Sequence, residues 1–239
     1  MNIYSKSFSV FSKYRVKPFV CPLCRHSLLL KTGDNETSVR CLRCFGTAIH
    51  LSLINVISRT VPDSESKTAY ELSSSGPLVE YLSRHFAGLT TSEYFDNLPA
   101  GKSIHGIRCE DVQNLSFPDS SFDICTSTEV FEHVADDHAG FKEIRRVLKG
   151  SGYFIFTVPL HNSDKTMERA YQDDSKIIHI LPASYHSDKI RGTGNVLVYR
   201  DYGNDITERL VAAGFSQAYI TEPTQTFFAY SRKVVVAKT

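Results

Sequence analysis

Four of the six cysteines fall in two C-x-x-C pairs, Cys21-Pro22-Leu23-Cys24 and Cys41-Leu42-Arg43-Cys44, separated by sixteen residues. Each pair can sit on a tight turn that aims two thiolates at one point. Two such turns brought together by a hairpin supply the four sulfurs of a tetrahedral structural zinc site. Four soft ligands leave no coordination position open, so the expected role of Cys21, Cys24, Cys41 and Cys44 is scaffolding. The alternative, four ordinary buried cysteines, does not call for this spacing. A segment this short has little core of its own, and metal binding would provide much of its folding energy. The pairing also points to a reducing compartment, with the cytoplasm the expected location.

The rest of the chain is long enough for a sizeable core, with 41% hydrophobic residues in 239. No window is apolar enough to span a membrane, and the N-terminus lacks a signal-peptide pattern. The net charge of +1 hides an asymmetry. Residues 1–50 hold eight Lys/Arg against Asp34 and Glu36, and the remainder holds 19 basic and 24 acidic residues. A basic head on an acidic body suggests two modules. The expected division is an arm over 1–17, a zinc ribbon with a connecting helix over 18–60, and a larger domain over 67–239. Pro62 and the small polar residues after it mark the join.

Beyond residue 67, short apolar strands alternate with helices, the pattern of a parallel α/β sheet. The expected strands are Thr68–Leu72, Gly88–Ser92, Ile107–Cys109, Phe122–Ser127, Tyr153–Val158, Phe215–Ile220 and Thr226–Ala237. The last two would form an antiparallel hairpin at the sheet edge. Helices are expected at Pro77–Phe86, Asp136–Lys149 and Asp205–Ala213. The second places Phe141, Ile144, Val147 and Leu148 on one face and should end at Gly150-Ser151-Gly152.

Several ordered landmarks resemble class I S-adenosylmethionine (SAM)-dependent methyltransferases of the broad small-molecule type. They are Glu71-Leu72-Ser73-Ser74-Ser75-Gly76, Ser92-Glu93-Tyr94, the stretch Glu110 to Asp123, Glu129-Val130-Phe131-Glu132-His133-Val134, and Arg145 to Gly152. The resemblance implies a Rossmann-like seven-stranded sheet that binds SAM at the carboxyl ends of its strands. It implies that Glu71 accepts from the methionyl ammonium, beside the loop of Ser73, Ser75 and Gly76. Glu93, with Tyr94, would hold the ribose, and Asp111, with Val112, the adenine. Ser127 completes the cofactor set. For Glu71 and Glu93 the other reading is a solvated strand-end carboxylate, and for Asp111 a turn-forming side chain. The chain departs from the family in its first loop, where three serines precede Gly76 and the family has G-x-G; serine takes positive φ less cheaply.

Methyl transfer needs nucleophile and methyl group held in line, and a base only if the acceptor must lose a proton. His133, His161 and His186 are the candidates for that base, and His179 lies in the same region. Each could equally be a surface or hydrogen-bonded histidine. The segment Leu160–Tyr199 is expected to form a lid that selects the substrate. Glu129, Glu132 and His133 also resemble the Glu-x-x-Glu-His arrangement of ubiquinone-biosynthesis O-methyltransferases, and could hold magnesium. The other reading is an acidic helix start favourable to the macrodipole.

The resemblance implies methyl transfer from SAM to oxygen or nitrogen of a small-molecule or glycan-like acceptor. The stretches Ser92 to Asp96, Phe156 to Pro159, Tyr185-His186 and Tyr202-Gly203 resemble bacterial methyltransferases often encoded with surface-polysaccharide genes. Two rivals stand beside this. The C-P-x-C start and basic head resemble zinc-ribbon ribosomal-RNA guanine methyltransferases, against which the acidic body counts. The serine-rich loop suggests a SAM-fold binding module without activity. Composition does not fix the oligomeric state.

Overall fold

The structure, a computed structural model, describes residues 14–174, 176–186 and 195–239. Most of the arm expected over 1–17 lies outside these. Arg15–Pro18 forms β1, the first strand of an antiparallel ribbon with β2 (Leu28–Lys31) and β3 (Val39–Cys41). The turn between β2 and β3 is pinned by Asn35, whose Oδ1 accepts from the Ser38 N–H at 2.8 Å.

The two C-x-x-C turns share one geometry. The N–H of Arg25 donates to the Cys21 carbonyl at 2.8 Å, and the N–H of Phe45 to the Cys41 carbonyl at 3.1 Å. Both donors sit in the left-handed region, at φ 62° and 58°. Neither is glycine, so each turn is held against a conformational preference on the order of 1 kcal/mol.

Helix α1 (Ala48–Thr60) follows directly. Its first turn is closed by His50, whose Nδ1 accepts from the Thr47 N–H at 3.2 Å. Leu51, Leu53, Ile54, Val56 and Ile57 are all buried. They join a core that runs without a break from Cys21, Leu23, Leu29 and Val39 of the ribbon to Ala69, Ile124, Ile155, Val234 and Val236 of the main sheet. The helix after the ribbon is therefore a covering layer of that sheet, packed beside α2 (Pro77–His85).

The main sheet contains β4 (Thr68–Glu71), β5 (Gly88–Thr91), β6 (Phe122–Thr128), β7 (Leu148–Thr157), β8 (Gln217–Thr221) and β9 (Val234–Lys238). Their order is β8-β9-β7-β6-β4-β5, parallel except for β9, which runs antiparallel to both neighbours. Side chains alternate between the faces. Ala69, Ile124, Ile155, Val234 and Val236 face the ribbon side. Tyr70, Cys125, Phe154, Phe156, Val235 and Ala237 face α3 (Asp137–Val147) and α4 (Ile206–Ala212). Because both faces are covered, the strands read as unbroken apolar runs. The second core is built on stacked rings, Phe154 on Phe156 at 4.1 Å and Phe131 on Phe141 at 4.6 Å.

The fold is the expected α/β Rossmann-like one, with three local corrections. The sheet has six strands, because Ile107–Arg108 pairs with Ser103–Ile104 in a small hairpin. The expected third strand survives as one parallel bridge, Glu93 to Cys109, in which the Glu93 N–H donates to the Arg108 carbonyl at 2.9 Å. Helix α3 stops at Val147, and Gly150-Ser151-Gly152 lies inside β7 as a bulge. There the register jumps from Phe122–Leu148 to Ile124–Tyr153, and a Cβ on Gly152 would sit 3.0 Å from the Asp123 carbonyl. Finally, residues 226–233 are not strand. Phe228 and Ala229 take positive φ in a turn that presents buried Phe227 to Phe19 of the ribbon, rings 5.5 Å apart.

Between β7 and α4 the chain makes short antiparallel pairs: Met167–Glu168 with Arg200–Asp201, Ala170–Asp173 with Lys176–His179, and Tyr185–His186 with Val196–Leu197. Gly203 ends this insert, and a Cβ there would fall 2.5 Å from the Lys165 carbonyl carbon and 2.6 Å from its oxygen. Backbone cannot swing aside as a side chain can. Gly203→Ala should cost about 2 to 3 kcal/mol in denaturant unfolding, and an unchanged midpoint would show that the insert moves freely on the core.

Candidate active site

The carboxyl ends of β4, β5, β6 and β7 lie along one edge, where open α/β sheets bind ligands. A cleft of about 420 Å³ opens there, within the range of small-molecule sites. Tyr70, Leu72, Asp111, Val112, His133 and Leu197 are among the residues that line it. Tyr70 is fixed by Ser92, hydroxyl to hydroxyl at 2.8 Å.

Glu71 ends β4 almost wholly buried, and does not reach the cleft wall. Its carboxylate accepts from the Thr126 hydroxyl, and from Ser73. Burial pushes its pKa up to about 8. The following loop solves the serine problem simply. Only Gly76, at φ 108°, leaves the ordinary regions, and Pro77 then starts α2 in the position proline favours. Ser75 and Gly76 are exposed.

Glu93 turns towards this loop. Its Oε1 accepts from the Ser74 N–H at 2.8 Å and from the Ser74 hydroxyl at 3.0 Å. Neighbouring Tyr94 lines the cleft. Asp111 does so too while closing a turn, its Oδ1 accepting from the Gln113 N–H at 2.9 Å. The turn-forming reading of Asp111 is thus what the geometry shows, with its side chain also at the cleft. Ser127 is buried on β6, away from the cleft wall. Its hydroxyl, with those of Thr128 and Thr157, has no hydrogen-bond partner among the described residues.

The Glu129, Glu132 and His133 set comes apart. Glu129 points to Arg232, Oε2 to Nη2 2.8 Å, and burial raises its pKa despite that cation. Glu132 is 1% exposed, and among the described residues no other residue donates a hydrogen bond to its carboxylate. Burial, then the Glu129 charge, push it well above the usual carboxylate range. What approaches Glu132 Oε1 are two imidazoles, His133 Nε2 at 3.7 Å and His186 Nδ1 at 3.8 Å. The two nitrogens are 3.2 Å apart. His133 Nδ1 lies 2.8 Å from the Leu197 carbonyl, so that nitrogen carries the proton and Nε2 presents its lone pair.

The other histidines are elsewhere. His161 is half exposed, 3.6 Å from Asp201, and His179 is exposed on the insert's hairpin. Neither lines the cleft. The insert does supply a wall through Gln172, Asn195, Leu197 and Tyr199. Sequence reasoning missed Arg200, which ties that wall to the site. Only 3% exposed, it donates to the carbonyls of Phe131, Val134 and Ala135, at 3.2, 2.5 and 2.7 Å, and to Glu168 at 3.1 Å. An arginine inside the apolar run Val196 to Tyr199 and Tyr202 was its only signal.

Residues 73–156, from the loop after β4 to near the end of β7, match the family model described as a methyltransferase domain. Over these residues the chain is similar to that family. No curated protein matches the chain significantly. Among solved structures, a SAM-dependent methyltransferase from Mesorhizobium loti is similar at 15% identity, over 77% of this chain and 96% of that one, with TM-score 0.49. The 1,6-didemethyltoxoflavin-N1-methyltransferase of Burkholderia thailandensis, solved with its substrate and S-adenosylhomocysteine, is similar at 14% identity. There the alignment covers 77% of this chain and 76% of that one, with TM-score 0.43. No helix of the described residues is long and apolar enough to cross a membrane.

Proposed function

We propose that the protein transfers the methyl group of SAM to an oxygen or nitrogen of a small-molecule or glycan-like acceptor. The observation that carries this is the cleft at the strand ends, lined by both Asp111 and His133. Asp111 offers an acceptor to an amino group of the cofactor. Bound SAM would supply an activated methyl group on a sulfonium. The chain's part is to hold both reactants and keep water out, and the insert wall supports that role. Of the candidate bases, His133 lines the cleft, and His186 Nδ1 lies 3.2 Å from its Nε2.

We also read the four ribbon cysteines as a structural zinc site. Cys21 and Cys44 Sγ are 3.8 Å apart, and Cys24 and Cys41 Sγ 3.5 Å. A zinc ion with four thiolates at ~2.3 Å separates its sulfurs by about 3.8 Å. Burial pushes the Cys21 thiol up to about 12 and raises Cys44 as well. These sulfurs would ionise at neutral pH only beside a cation. The basic head gives limited support to an RNA substrate, because several of its charges are met within the chain. Lys31 pairs with Asp34 at 2.9 Å and covers Tyr230, and Lys17 covers Phe228.

Calorimetry with SAM tests the reading. Asp111→Asn keeps an oxygen for the Gln113 turn but removes the carboxylate. It should weaken SAM binding roughly 10- to 100-fold, the loss of a charged hydrogen bond in a partly desolvated site. Unchanged affinity, or no binding by the unaltered protein, would overturn the assignment of this cleft.

A further inference from the structure

We infer that Glu132, His133 and His186 form a binding site for a divalent transition-metal ion beside the cleft, taking an acceptor oxygen in an open coordination position. The three ligand atoms lie within 4.8 Å of one another, and His133 also lines the cleft. Three features make this more than a group of polar residues.

The first is spacing. Two imidazole nitrogens bound at ~2.1 Å to one ion lie about 3.0 Å apart at a right angle and about 3.4 Å apart at the tetrahedral angle. His133 Nε2 and His186 Nδ1 are separated by 3.2 Å, between these limits. The carboxylate edges, 3.7 and 3.8 Å, close with a few tenths of an ångström of movement. The second is the lone-pair arrangement. The bond to the Leu197 carbonyl fixes the His133 tautomer with Nε2 facing the centre, as a metal-ligating histidine is usually held from behind. The third is Glu132 itself. A carboxylate 1% exposed, with no hydrogen bond from another residue among the described residues, is costly unless a cation meets it. Glu129 has Arg232; Glu132 faces the imidazoles.

The ligand set also selects the ion. Magnesium and calcium are held by oxygen, whereas two imidazoles and one carboxylate suit zinc, iron(II), cobalt(II) or manganese(II) and leave positions open. His186 belongs to the insert and Glu132-His133 to the turn after β6, so the ion would fasten the insert over the cleft. An acceptor hydroxyl filling an open position would lose its proton to water more readily, leaving the oxygen a stronger nucleophile. This acceptor role rests on the methyl-transfer reading; the metal site does not.

The test is cobalt(II) titration of the full chain purified without metal. Two equivalents are expected. One should show intense thiolate-to-cobalt charge transfer from the ribbon, and the second only weak visible bands of a nitrogen and oxygen site. His186→Ala should leave the thiolate signal intact and weaken the second site at least about a hundredfold, since even second-shell losses cost up to that. His161→Ala should keep both. A protein that shows no second equivalent, or a second equivalent indifferent to His186→Ala, overturns the site. Cobalt binding at His186 in a protein that does not bind SAM would keep the site and remove only its acceptor role.

Discussion

Removing the zinc ion proposed for the ribbon should unfold more than the ribbon. Metal binding by small cysteine sites is worth on the order of 10 kcal/mol of apparent folding energy, and this three-stranded element has little else to hold its two left-handed turns. Its buried Leu23, Leu29 and Val39 share one core with α1 and with one face of the sheet. A chelated protein, or Cys41→Ser, should therefore lose amide protection across the ribbon first and then through α1. β6 and β7, covered on their other face by α3, should hold longest. Hydrogen exchange read by mass spectrometry gives the order. A metal-free protein whose residues 18–60 are as protected as before would remove zinc from the account of the fold.

Arg200→Ala should be the most damaging single change in the insert. The guanidinium satisfies three carbonyls of the Phe131–Ala135 turn and faces Glu168 at 3.1 Å and Asp137 at 3.7 Å. Asp137 would keep Tyr202 at 2.8 Å and Arg209 at 3.1 Å, and the Phe131 carbonyl would keep the Val134 N–H, but the Val134 and Ala135 carbonyls would lose the guanidinium. Breaking a buried ion pair from one side costs about 3 to 5 kcal/mol. Urea unfolding should show a loss of this size. The same variant should disorder the turn carrying Glu132 and His133. A loss below about 1 kcal/mol would mean that water replaces the guanidinium without strain.

Much of this was legible in the sequence, for physical reasons that differ between regions. The C-x-x-C turns are local, so spacing alone announces them. The central strands are covered on both faces and appear as apolar runs such as Val234 to Ala237. Helix α3 shows its face through Phe141, Ile144 and Val147. What spacing cannot show are meetings between distant residues. His186 reaches His133 across 53 positions, so Glu129 looked like the third member of a set that it leaves for Arg232. The glycines after α3 resembled a helix stop because a bulge and a cap use the same residue types. The Ser103–Arg108 hairpin took residues that an apolar count assigns to the sheet. Phe227 reads as strand, yet packs against the ribbon.

The arginine at position 232 makes a contact with a consequence for the order in which this chain can finish folding. Its guanidinium meets Glu36 of the ribbon at 3.1 Å and Glu129 of the site at 2.8 Å, while its N–H reaches Ser52 of α1 at 3.0 Å. Asn55 likewise waits for Thr224. The cysteine turns are local and need no distant residue to form. The outer face of the same element is complete only when Arg232 reaches Ser52 across 180 positions. Closing so long a loop is slow, so this face is the last part of the shared core to be sealed.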